Sequence, residues 1–286
     1  MSFKPNRPIS GLSSVEGWKT LPIHECGEPL VPLGSFSDYP MIATDSIYVG
    51  ERNSSPYPTL KLDGALFTVF VREDVARRLK HAASLLPSRH MLFVWDAYRP
   101  QAVQQALFDS YLDKLVSDGM SHEQAQEDAQ QFVSIPSDDP TRPPPHSTGG
   151  AVDLTIIRFS EEDWERMERL TQIVMQTETA DNWQEIYHTE MERLQIIRTR
   201  SMPLSMGTVF DGVQDETLTL HFENIDEVDL SVEAAVARDN RRLLWNVMEE
   251  TGFSNYPDEW WHFDFGNQFD AARTGREAMY PAAVFS

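Results

Sequence analysis

The sequence predicts an α+β fold with a mainly antiparallel sheet and flanking helices. Three observations lead there. Apolar runs of strand length, Met91-Leu92-Phe93-Val94-Trp95 above all, are interspersed with longer stretches of helical periodicity. Their order is mixed and lacks the regular strand–helix repeat that builds a parallel sheet. No internal repeat or composition break divides the 286 residues, so 1–286 reads as a single domain with a substantial core.

Residues 1–60, rich in Pro, Gly and Ser, predict an irregular N-terminal wrap with one or two strands, around Met41-Ile42 and Ile47-Tyr48-Val49. Val75, Leu79, Ala82 and Leu86 share one helical face over 72–86, and Pro87 ends that helix. The run at 91–95 predicts a central strand buried on both faces, followed by Asp96-Ala97-Tyr98-Arg99-Pro100 and a helix over 101–116. A loop dense in Pro and Asp spans 134–145. Val152, Leu154 and Ile156 then alternate with Asp153 and Thr155, the mark of a strand. Between about 160 and 203 lies a charged block with helical periodicity through Trp164, Met167, Leu170 and later Ile186, Leu194 and Ile197, read as a helical insertion. A helix over 238–250 buries Leu243, Leu244, Val247 and Met248, with Gly252 just past its end. A final strand is expected over 259–265.

Composition narrows the function. The longest apolar runs fall far short of the roughly 20 residues that span a bilayer. Met1 to Pro8 shows neither an apolar core nor a small-residue cleavage site, so the expectation is a chain kept in the cytoplasm. A net charge of −21 argues against nucleic acid and against anionic lipid as partners. Cys26 is the sole cysteine, which rules out an intrachain disulfide and any multi-cysteine metal site. A metal here must be held by nitrogen and oxygen.

Those donors are present at telling positions. His146 enters the strand that carries Asp153, with Gly149 and Gly150 between them. Glu259-Trp260-Trp261-His262 follows a hundred residues later. Two imidazoles and a carboxylate with a second carboxylate alongside are the inventory of a catalytic zinc site: three ligands, an open position, and Glu259 as general base. Glu259 and His262 would face opposite sides of a regular strand. They can meet only if that strand begins with a turn, as Tyr256-Pro257-Asp258 permits.

Arg99, at the end of a buried strand, reads either as a partner of Asp96 or as a fixed guanidinium for an oxyanion or a substrate carboxylate. On spacing alone Asp211 is an aspartate opening a turn. Trp260 and Trp261 read as core. His24, His81, His90, His122, His188 and His221 have no partner pattern.

Taken together these motifs resemble those of the VanX-type D-alanyl-D-alanine dipeptidases, M15 zinc peptidases that share a fold with Hedgehog domains and DD-carboxypeptidases. His146, Gly149, Ala151 and Asp153 fit the family's first ligand segment, and Glu259 to His262 its last. Trp95 to Pro100 is similar to its arginine motif. Met206-Gly207-Thr208-Val209-Phe210-Asp211 resembles its Met-Gly-x-x-Phe-Asp segment, and the stretch from Asn240 to Phe253 its penultimate helix. The resemblance implies a Hedgehog/DD-peptidase-like fold, one Zn2+ per chain on His146, Asp153 and His262, and Glu259 as base. It further implies that Arg99 stabilises the oxyanion and Asp211 holds the ammonium of a small dipeptide substrate. The expected activity is hydrolysis of D-alanyl-D-alanine. The alternatives are a DD-carboxypeptidase or wall endopeptidase of the same fold, and a zinc-stabilised binding module without turnover. A homo-oligomer is left open. Three departures stand out: Pro144 replaces the family serine two places before the first ligand, the segment between Asp153 and Met206 is longer than the family's usual connection, and the N-terminal region matches the family poorly.

Overall fold

The apolar runs become strands and the periodic stretches become helices. The computed structural model describes residues 3–49, 62–132, 137, 139–177 and 179–284. In chain order the elements are β1 (Leu30–Pro32), β2 (Ala43–Thr44), β3 (Phe70–Arg72), α1 (Glu73–Ser84), β4 (His90–Asp96), α2 (Gln101–Ser117), α3 (His122–Phe132), β5 (Ala151–Arg158), α4 (Glu161–Gln176), α5 (Thr179–Arg200), β6 (Met202–Pro203), α6 (Val232–Glu250), β7 (Ser254–Asn255), β8 (His262–Asp264) and α7 (Gln268–Thr274).

The larger sheet runs β2-β4-β5-β8-β7, with β6 added at the far end of β5. Its pairings are antiparallel except that of β2 with β4, where Ala43 and Thr44 run parallel to Phe93 and Val94. The sheet is therefore mixed, which corrects the mainly antiparallel expectation in part. The long connection through β3 and α1 gives the chain room for a crossover, and a parallel pairing needs that length. β1 and β3 form a separate antiparallel pair.

Strand β5 lies in the middle and is buried along nearly its whole length. On one face Val152, Leu154 and Ile156 join Leu92, Val94 and Phe263, and α1 and α6 close over them with Val75, Leu79, Leu244, Val247 and Met248. On the other face Ile157 packs with Met91, and helices α4 and α5 cover them with Met167, Leu170, Ile196 and Ile197. That second face also carries Asp153, two pleats along from Ile157. The helix pair thus covers the Ile157 end of the strand, the end away from Asp153. It is pinned there by a buried ion pair, Glu190 with Arg193 at 2.5 Å. Glu190 accepts the Phe36 backbone N–H at 3.0 Å, and Arg193 donates to the Pro40 carbonyl.

Several boundaries differ from the sequence reading. Helix α6 starts at Val232, because the Ser231 hydroxyl accepts the Ala234 N–H, a cap worth about 1 kcal/mol. Helix α3 was not expected: it is polar, and among its described side chains Ala125 and Ala129 are the fully buried ones. The seven-residue α7 was also missed. Ile47 to Val49 is a turn, not a strand. Part of the 1–60 wrap and residues 134–136 and 138 of the Pro-rich loop lie outside the described residues. No helix among the described residues is long and apolar enough to cross a membrane.

Gly150 shows how tightly β5 and β8 are joined. Its carbonyl accepts the Phe265 N–H at 2.8 Å, and a Cβ added to it would lie 2.5 Å from the Phe265 carbonyl oxygen, a backbone atom that cannot step aside. Gly150→Ala is expected to lower stability by about 1–3 kcal/mol. A urea midpoint unchanged from the parent protein would show that β5 and β8 can part without cost.

Candidate metal centre

His146 owes its position to a short 3₁₀ turn, Pro145–Thr148, that delivers the chain into β5. Pro144 stands before the turn, and Gly149 closes it in the left-handed region at φ 71°, with its N–H bonded to the His146 carbonyl at 3.2 Å. The buried ring is oriented by its Nδ1, which lies 2.8 Å from the Ala97 carbonyl. A carbonyl only accepts, so Nδ1 bears the hydrogen and Nε2 is left with its lone pair. That Nε2 faces Asp153 Oδ2 at 3.4 Å.

Asp153 and His262 are a direct cross-strand pair of β5 and β8, which puts both side chains on the same face. Oδ1 of Asp153 lies 2.9 Å from His262 Nδ1. The two imidazoles meet edge to face, ring centres 4.9 Å apart at 81°. One donor atom from each of His146, Asp153 and His262 falls within 4.8 Å of the others, and all three residues are buried. The donor set fits zinc: two nitrogens and one carboxylate oxygen, with the remaining nitrogen of each ring held by a carbonyl or a carboxylate. Among the described residues this is the one cluster of that kind, and the other histidines stay outside it.

The charges make the same point. Burial alone would raise the pKa of Asp153, but His146 and His262 outweigh it and hold the carboxyl well below the usual range. Burial opposes charge on His262, yet Asp264 and Asp153 outweigh it and hold its pKa well above the usual histidine value.

Glu259 reaches this centre because β8 does begin with a turn. The Glu259 N–H bonds to the Tyr256 carbonyl at 3.2 Å, and the His262 N–H to the Glu259 carbonyl at 3.2 Å. Its Oε2 comes to 3.7 Å from His262 Nδ1. The side chain is half-buried. Burial, with the charges of Asp153 and Asp211, pushes its pKa up to about 7 against the lowering pull of the two imidazoles. A carboxyl there exchanges a proton readily near neutral pH.

Arg99 is the partner of Asp96 that one of its sequence readings expected. It is largely buried and donates from Nε and Nη2 to Asp96 Oδ2 at 3.0 and 2.5 Å, and from Nη1 to Gln104 at 2.7 Å. Burial works against its charge, but Asp96, Tyr48 and Asp153 raise its pKa well above the usual value. Asp96 lies opposite Asp153 across a register shift after Val94, so the bulge turns the end of β4 toward the centre. Asp211 sits at φ 59° on an exposed loop, close enough for its charge to act on Glu259. Phe210, its neighbour, stacks on Trp95 at 4.5 Å, and Thr208 accepts from Trp260 Nε1 at 2.8 Å. Trp260 and Trp261 are buried core residues, as read from sequence.

Sequence reasoning missed Tyr48, whose hydroxyl donates to Asp96 at 2.5 Å, and gave no role to Asp264, which lies 3.1 Å from His262 Nε2. Tyr48 carries no local signal. Asp264 does, since two residues beyond His262 on a strand is the same face.

Residues 161–279 match the Peptidase M15 family model, described as D-ala-D-ala dipeptidase. That span includes Glu259 and His262 and begins after His146 and Asp153. The chain is also 28% identical over 268 residues to a D-alanyl-D-alanine dipeptidase of Synechocystis sp., covering 87% of this chain and 86% of the relative. The resemblance drawn from the motifs is borne out.

Proposed function

We propose that this relative of the M15 D-alanyl-D-alanine dipeptidases is itself a dipeptidase, holding one Zn2+ on His146, Asp153 and His262 and cleaving D-alanyl-D-alanine to free alanine. The observation that carries the reading is the buried His–Asp–His cluster with Glu259 half-buried beside it. The single-domain organisation, with 160–203 as an inserted helical pair, belongs to the same reading. When bound, zinc supplies a Lewis acid and lowers the pKa of water at its open position to roughly 7. Glu259 takes the proton from the attacking water and passes it to the leaving amine. Arg99, held in place by Asp96, faces the oxyanion that develops at the scissile carbonyl. Asp211 reads the free ammonium of the substrate, since a blocked amine would leave that carboxylate without its partner.

The test is to incubate the zinc-loaded protein with D-Ala-D-Ala, L-Ala-L-Ala and N-acetyl-D-Ala-D-Ala, and to measure free alanine. Release from the first alone is the expected result. Release from the acetylated compound would move the reading to a carboxypeptidase, and silence on all three would sink the catalytic reading. Asp211→Asn is expected to lower kcat/KM for the free dipeptide by about 10–150-fold, the worth of one charge-assisted contact. An unchanged kcat/KM would remove Asp211 from the amine site.

A further inference from the structure

We infer that Asp264 and Asn267 are positioning residues that decide which nitrogen of His262 is offered to the metal. The inference rests on the zinc reading above. Asn267 stands at the N-terminus of α7, where its Oδ1 accepts the Asp270 backbone N–H at 3.0 Å. That bond fixes the amide. A flipped amide would set Nδ2 against the Asp270 N–H, donor against donor, and Oδ1 against a carboxylate.

With Oδ1 committed to the cap, Nδ2 donates to Oδ1 of Asp264. The other oxygen of Asp264, Oδ2, lies 3.1 Å from Nε2 of His262. A carboxylate offers only acceptors, so Nε2 carries the hydrogen. Nδ1 faces the Asp153 carboxylate at 2.9 Å, so it too carries a hydrogen in the metal-free ring, and that is the hydrogen a metal shared with Asp153 would displace while Nε2 keeps its own. Donor and acceptor roles thus pass from a helix cap through Asn267 and Asp264 to the ring. Asp264 and Asp270 are 0% exposed and Asn267 is 2% exposed, so water does not stand in for a lost partner.

The experiment measures zinc Kd by chelator competition for the parent protein, Asp264→Asn, Asn267→Asp and the double variant D264N/N267D. In Asp264→Asn the new amide must either turn its NH2 to Nε2, which moves the hydrogen to Nδ1, or turn it to Asn267 Nδ2, which sets donor against donor. In Asn267→Asp two carboxylates face each other. Each single change is expected to weaken zinc binding about 10–100-fold. The double variant restores the order of donors: the new amide at 264 donates to the new carboxylate at 267, which still caps α7, and keeps its oxygen for Nε2–H. It is expected to return to within about threefold of the parent Kd.

Single variants with the parent Kd, or a double variant as weak as the singles, would overturn the inference. A second readout does not depend on the variants folding: in 15N-labelled parent protein loaded with 113Cd, the coupling for His262 is expected at Nδ1, and a coupling at Nε2 would overturn it. A parent protein that binds neither zinc nor cadmium would instead sink the metal reading on which the inference rests.

Discussion

Glu259→Gln is expected to keep its zinc and lose turnover, with kcat lower by about 10²–10⁴-fold. The amide is close in size to the carboxylate and stands in the same turn, so the cluster 3.7 Å away keeps its geometry. What it cannot do is accept a proton. The parent protein should also show an acid limb in kcat/KM. A carboxyl whose pKa is raised toward about 7 is neutral below that value and ionised above it, so the base form is lost as pH falls. A cation in the cluster adds to the lowering pull of the imidazoles, so the limb is expected at or below 7. Zinc content by metal analysis and kcat on D-Ala-D-Ala are the two measurements. Activity within tenfold of the parent, at equal zinc, would take the base role from Glu259.

Asp153→Ala should remove the metal itself. It leaves His146 Nε2 and His262 Nδ1 as the only donors of the cluster, and zinc affinity is expected to fall by more than about 100-fold, beyond what loss of an outer-shell partner costs. Turnover at stoichiometric zinc should be undetectable. Zinc held with the parent affinity would mean that the ligands lie elsewhere. The metal-free protein gives an independent check through pH. The lowered pKa of Asp153 contributes stability above the ordinary carboxylate value and loses it as pH falls through the folded one. The raised pKa of His262 contributes stability below the ordinary histidine value and loses it as pH rises through the folded one. The gap in urea midpoint between parent and variant is therefore expected to be widest between about pH 4 and 6.5.

The site was more legible in the sequence than the fold around it. His146, Asp153 and His262 announce themselves by residue type and by strand alternation, and the turn at Tyr256 to Asp258 was already required for Glu259 to join them. The buried strands at 91–95 and 151–156 were legible for the same reason: a run apolar on both faces has one place to go. Helix α3 was not, because its buried face is built on alanines, Ala125 and Ala129, in an otherwise polar stretch that packs against α2. The parallel seat of β2 depends on a partner some fifty residues away, which no local pattern encodes. The polar groups behind the cluster were legible only in part. Tyr48 and Asp96 meet across 48 residues of chain, and Asn267 takes its meaning only from the helix it caps.

The pairing of Asp153 with His262 spans 109 residues of chain, and it joins strands that touch only once the sheet has formed. During synthesis, then, a chain that has emerged as far as β5, or even α6, holds two of the three donors and no cage. Loop closure across such a distance is slow compared with helix formation, so the cluster belongs to the late steps of folding. On the zinc reading proposed above, metal uptake would be an event of the finished sheet: the ion would lock β5 to β8 after they have met, and its expected signature is slower unfolding and not faster folding.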